Sequence, residues 1–110
     1  MSPQHKPLVW LHESVTTPPF SEKARIEAGY LLRLLQRGDK LSLPHSRPMP
    51  TCGARCHELR INDAHKTWRI LYRLDQTAVI ILAIFEKKIP QTPDGILELC
   101  RQRLKDYEAT

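Results

Sequence analysis

The stretch from Cys56 to Phe85 constrains the fold more than any other part of this chain. It holds β-type segments joined by links too short for anything but neighbouring antiparallel strands. The first runs from Cys56 to Ile61 and contains Glu58-Leu59-Arg60-Ile61. Asn62-Asp63-Ala64-His65 then supply turn residues. The second runs from Thr67 to Leu74, with Trp-Arg-Ile-Leu-Tyr at 68–72, and Asp75-Gln76 return the chain. The third, Ala78–Phe85, is apolar at every position, which predicts a strand covered on both faces at the centre of the sheet.

Around this meander the sequence places a helix on each side. Ser21 caps a helix with Glu22 in its first turn, Ala24, Ala28, Leu31 and Leu35 at helical spacing, Arg37 near its end and Gly38 as its stop. From Asp94 a second helix carries Ile96, Leu97, Cys100 and Leu104 on one face, with Arg101, Arg103 and Lys105 around it. Leu8–Leu11 behind Pro7 reads as an edge strand that Thr16-Thr17-Pro18-Pro19 break off. Pro44, Pro48, Pro50 and Gly53 leave no expected regular element between 39 and 53, where His45, Arg47 and Arg55 give a basic loop. The expectation is one α+β domain over residues 1–110, a small antiparallel sheet packed against an N-terminal and a C-terminal helix, with 1–6 frayed.

Alternation along strands then sorts the charges. Leu59, Ile61, Trp68, Ile70 and Tyr72 fall on one face, expected to meet the helices. Glu58, Arg60, Arg69 and Arg73 fall on the other, and Lys87 and Lys88 follow the third strand. Arginine is rarely buried unpaired, so arginines inside strands predict a solvent-facing cationic patch. The excess of positive charge, +5 over the chain, favours an anionic partner. Arginine forks match phosphate oxygens and stay charged, and a lysine among like charges has a depressed pKa and can move protons. These residues suit RNA cleavage by 2′-hydroxyl attack on phosphorus, with Arg69, Lys87, Lys88 and Glu58 as the catalytic candidates and Arg60 and Arg73 as RNA-binding ones. His57 alternates to the core side and reads as structural, and His65 as a turn residue.

An odd cysteine count, three, argues against a disulfide scaffold and for a reducing cytoplasm. Cys52, Cys56 and His57 lack a second close pair and Cys100 stands apart, so neither a metal nor a cofactor is expected. No signal-peptide pattern precedes Glu13, and the Ala78–Phe85 run is too short to span a bilayer.

The ordered set of Glu-Leu-Arg-Ile, Trp-Arg-Ile-Leu-Tyr, Phe85–Lys88, Thr92-Pro93 and Arg103–Tyr107 resembles the RelE/ParE toxin superfamily, and within it the phage-derived HigB-like branch. The resemblance covers Val9 to Tyr107. It implies a toxin of a type II toxin–antitoxin pair, a ribosome-dependent endoribonuclease that cuts messenger RNA. It matches Arg69 to the strand arginine at the scissile phosphate, Lys87 and Lys88 to the basic pair after the next strand, and Arg60 to the arginine of the preceding one. It implies a helix-turn-helix antitoxin of the HigA type, through which the complex reaches operator DNA. A ParE-like inhibitor of DNA gyrase, or an inactive remnant that only binds antitoxin, are the alternatives. Tyr72 and Tyr107 read as core and helix-end residues.

Overall fold

A computed structural model describes residues 5–11, 20–88 and 90–110. The expected break at Thr16–Pro19 and the first four residues of the frayed end lie outside them. The elements run β1 (Leu8–Trp10), α1 (Glu22–Gln36), β2 (Ser46–Pro48), β3 (Cys56–Asp63), β4 (Lys66–Leu74), β5 (Val79–Glu86) and α2 (Asp94–Glu108). They form an α+β fold with a five-stranded sheet in the order β1-β5-β4-β3-β2. The β3–β4–β5 meander is antiparallel as expected. The sheet as a whole is mixed, because β1 pairs with β5 in parallel. The expected edge strand thus makes β5 an interior strand, and β4 is the middle one of the five. The proline-rich stretch is also less irregular than its composition suggests. Ser46–Pro48 pairs with Leu59, Glu58 and His57 as an edge strand, the one place where a sheet tolerates proline.

The start and the stop of α1 follow local chemistry. The Ser21 side chain accepts the Ala24 amide at 3.1 Å, closing one open donor of the first turn of α1. At the other end Gly38 takes φ +95°, a left-handed value that costs glycine little. Its amide donates to Leu35 O and that of Asp39 to Leu34 O, both at 3.0 Å, the paired bonds of a glycine-terminated helix. Asp63 ties this start to the sheet. Its Oδ2 accepts the Ser21 amide at 2.9 Å and the Trp68 indole at 3.3 Å, while Oδ1 accepts the Ala64 amide at 2.9 Å. These donors hold the Asp63 carboxyl down at about 2. Chain reversal between β3 and β4 needs only Ala64 and His65, since Asp63 and Lys66 are still paired.

Each face of the sheet has its own core. Ala24, Ala28, Leu31, Leu32 and Leu35 of α1 pack on Leu59, Ile61, Trp68, Ile70 and Tyr72. On the other face Leu97, Cys100 and Leu104 of α2 cover Leu71, Ile80, Leu82 and Ala83. The expectation that both helices share the Leu59–Tyr72 face is therefore corrected. Alternation assigned the residues of β3 and β4 properly, but Leu71 stands between Arg69 and Arg73 and joins the apolar residues of β5 to make a second surface worth covering. Burying each such side chain contributes on the order of 1.5–3 kcal/mol.

One irregularity positions the site. Leu71 pairs with Ala83 and Tyr72 with Ile81, so Leu82 is an extra residue in β5. A bulge of this kind bends a strand and re-aims the side chains beyond it. Before it, Val79 and Ile81 belong to the α1 core. After it, Ile84 packs on that core, whereas Ala83 and Phe85 lie on the α2 side. The parity of the strand is inverted, and Lys87 follows Phe85 onto the α2 side. The Leu82 carbonyl accepts a 2.5 Å hydrogen bond from Arg103 Nη1 of α2, which fixes the bulge against the helix.

Candidate functional site

The carboxylate of Glu58 is the centre of the candidate site. Its side chain is 0% exposed. Oε1 accepts from Arg47 Nε of β2 at 3.1 Å, and Oε2 accepts from Thr92 Oγ1 at 3.1 Å. Arg69 Nε of β4 lies 3.2 Å from Oε1 as an ion pair. Arg69 is itself only 7% exposed. One buried carboxylate thus gathers a strand edge, the central strand and the approach to α2. Burying a charge this deeply is tolerated only with partners of this kind.

Around it the cations outnumber their counter-ion. Arg60 and Arg69 are directly opposite one another across β3 and β4. Like charges in that relation repel. The Nε of Arg60 is buried and makes no hydrogen bond among the described residues. Burial works against the charge of Arg69, Arg60 and Arg47 add to that, and Glu58 opposes it, so its pKa is lowered. Lys87 feels the same field. Its pKa is lowered first by burial and then by Arg69, with Glu58 pulling the other way and Arg47 and Arg60 contributing repulsion. Four cations, Arg47, Arg60, Arg69 and Lys87, stand around one carboxylate. The arrangement favours an anion at its open side.

The residues singled out from sequence do not all meet there. Arg60, Arg69, Glu58 and Lys87 converge. Lys88 is exposed beyond the end of β5, and its nearest carboxylate is Glu86, whose Oε2 is 3.9 Å from Nζ. Arg73 shares their face but not their site. It is 6% exposed, lies on the far side of Leu71, and pairs with Asp75 at 2.8 Å and with Glu108 of α2. Two carboxylates therefore already neutralise its charge. The expected solvent-facing patch is corrected. Glu58, Arg69 and Arg73 are buried, and Arg47, Arg60 and Lys87 are half-buried. As a base, Glu58 has no unengaged oxygen.

The remaining candidates sort plainly. His57 stacks on Tyr72 with ring centroids 5.4 Å apart, and burial lowers its pKa, as suits a structural histidine. Tyr72 Oη and Ser46 Oγ share a buried 2.6 Å hydrogen bond. Tyr107 packs against the α2 core. Cys100 does not stand apart. It lies in the same core cluster as Cys52 and Cys56 under α2, and all three are buried and free. Hydrogen bonding to Cys100 contributes most to pushing Cys52 up to about 12, so its thiol stays protonated at neutral pH. Sequence reasoning passed over Arg47 and Thr92 as site residues. Arg47 was legible only as a basic loop residue, and Thr92 only as half of a Thr-Pro pair.

A small α+β fold whose sheet carries a strand-borne cationic cluster beside a C-terminal helix is the class that these features define. A protein-family model for phage-derived Gp49-like proteins (DUF891) matches residues 19–105, and the chain belongs to that family. The family is one of RelE-like type II toxins, and membership does not single out the HigB branch. It is consistent with a toxin of a toxin–antitoxin pair and implies an antitoxin partner. No significant match was found to a curated protein or to a solved structure. Among the described residues no helix is long and apolar enough to cross a membrane.

Proposed function

We propose that this protein is the toxin of a toxin–antitoxin pair and acts as an endoribonuclease on messenger RNA in the ribosomal decoding site. The observation that carries the reading is the cluster of four cations around the single carboxylate of Glu58, with two arginines facing each other. Such a group is electrostatically incomplete until an anion joins it, and a phosphodiester is an anion with the right oxygen geometry. Arg69 and Arg60 hold the non-bridging oxygens as charge builds on them. Lys87, its pKa depressed, takes the proton of the ribose 2′-hydroxyl. The 2′ oxygen bonds to phosphorus as the bond to the 5′ oxygen breaks, and that oxygen takes a proton from water at the open rim beside Lys88. Glu58 touches no substrate atom in this scheme; it is a positioning residue that keeps Arg69 extended and Arg47 close. Lys88 adds long-range attraction for the backbone.

In this reading the partner is a helix-turn-helix antitoxin of the HigA type, which also brings the complex to operator DNA, and the protein works in the cytoplasm. The test is primer extension of cellular messages after induction. Codon-phased breaks that vanish with Arg69→Met, while that variant stays folded, are the expected result. Intact messages together with growth arrest and a DNA-damage response would replace the nuclease by a gyrase poison.

A further inference from the structure

An apolar pocket beside the cationic cluster is not used by the chemistry above. It lies between the end of β5 and the start of α2 and has a volume of about 270 Å³. Phe85, Pro93 and Ile96 give it its apolar lining, and Glu86, Lys87, Lys88 and Gln91 give it its polar one. Phe85 is the direct cross-strand neighbour of Arg69, so the pocket opens one strand spacing from the proposed phosphate position. It exists because the bulge at Leu82 turns Phe85 to this side.

We propose that this pocket is a nucleobase seat, receiving the base of a nucleotide adjoining the phosphate held by Arg69 and Arg60. The inference rests on the RNA reading above and adds to it a subsite for the base. A purely apolar occupant would be served by an apolar rim, but this rim carries two lysines against one carboxylate, Glu86, which lies 3.9 Å from Lys88, and Lys87 belongs to the cationic cluster as well. The occupant that complements both parts is apolar and flat at one end and anionic at the other, which describes a nucleotide. An aromatic floor suits any base, because every base has a face to stack, and stacking on a protein ring is tolerant of sequence. Selectivity comes from the rim, where the Gln91 amide can both donate and accept at a base edge. The volume is below that of pockets that enclose drug-sized ligands, so it admits a single ring system, not two stacked bases.

The test uses the full chain and short 2′-O-methyl RNA oligonucleotides, which bind but cannot be cut. One base at a time is replaced by hydrogen, and binding is followed by fluorescence anisotropy. Removing the base at one position should weaken binding on the order of tenfold, as expected for one stacked base. In Phe85→Ala, and in Ile96→Trp, which fills the pocket from its wall, the same removal should change affinity less than about twofold, within the scatter of a lost stacking contact. The salt dependence of binding, set by phosphate contacts, should remain in both. A penalty that persists in both variants overturns the seat, as does an oligonucleotide series in which no position matters. If Ile96→Trp instead blocks neutralisation by the antitoxin and leaves the base penalty intact, the pocket takes a protein side chain and the proposal fails. Base-dependent binding without cleavage in cells would sink the nuclease reading and keep the seat; cleavage without base dependence would do the reverse.

Discussion

Replacing Glu58 by alanine should unfold the site from within. The substitution removes a carboxylate that is 0% exposed and leaves Arg69, 7% exposed, facing Arg60 with no counter-ion. Breaking a buried ion pair by deleting one partner costs about 3–5 kcal/mol, because the remaining charge stays desolvated. The lower end applies here, since the site has an open side through which water can reach the orphaned guanidinium. Thr92 also loses its acceptor, which frees the approach to α2. A loss of about 3 kcal/mol corresponds to a fall in Tm of roughly 12–24 °C for a domain near this size. The assay is urea unfolding followed by circular dichroism, with Glu58→Ala, Arg69→Met and the double variant compared. The double variant should be more stable than Glu58→Ala alone, with a coupling of about 1–3 kcal/mol, because it removes the stranded cation together with its partner. Additive effects, or a single-variant loss under about 1 kcal/mol, which is the scale of an exposed pair, would refute the claim that this carboxylate holds the cluster together.

Cleavage should rise with pH through the depressed pKa of Lys87, since a base must be deprotonated to act, and Lys87→Arg should lose that limb; single-turnover rates followed with rising pH below the ordinary lysine value of 10.5 would show it. Asp63 has a lowered pKa, so its stabilisation is complete above the ordinary value of 3.8 and is lost as pH falls through about 2. Asp63→Asn should therefore be less stable than the parent at pH 7 and converge with it near pH 2, read as urea midpoints at each pH. Arg103→Met should strip the Leu82 carbonyl of its charged donor, lower stability by about 1.5–3 kcal/mol, and speed amide exchange around residues 82–85.

The strands and their faces were legible because side chains alternate with a period of two. Trp68, Ile70 and Tyr72 could not share a face with Arg69, and register errors would have buried charges on the α1 side. The caps of α1 were legible for a similar reason, since Ser21 and Gly38 act on atoms within a few residues of themselves. What failed was long-range. The second covered face is assembled from Leu71 of one strand and Ile80, Leu82 and Ala83 of another, so no single segment advertises it. The edge strand Ser46–Pro48 was hidden because its pairing with β3 overrides a composition that speaks only for local breaks. The pairing of Arg73 with Glu108 was not legible, because Glu108 lies 35 residues away in sequence and on a different element.

The bulge explains why the site itself was only half visible. In a run that is apolar at every position, inserting Leu82 leaves no trace in the hydrophobic pattern, yet it exchanges the sides of everything after it. In a regular β5, Ile80 and Leu82 on the α2 face would be followed by Ile84, Glu86 and Lys88, placing Lys88 toward Arg69 and Lys87 away from it. With the bulge, Phe85 and Lys87 take that side, and Lys88 falls near Glu86. The consecutive lysines that look equivalent in sequence are therefore unequal in space, and the difference is set by an irregularity anchored from α2 through Arg103. The C-terminal helix thus does more than cover a core. It holds the register of the strand that presents Lys87, and through Thr92 on its approach it holds the carboxylate that orients Arg69. Both halves of the cationic cluster depend on the same helix being in place.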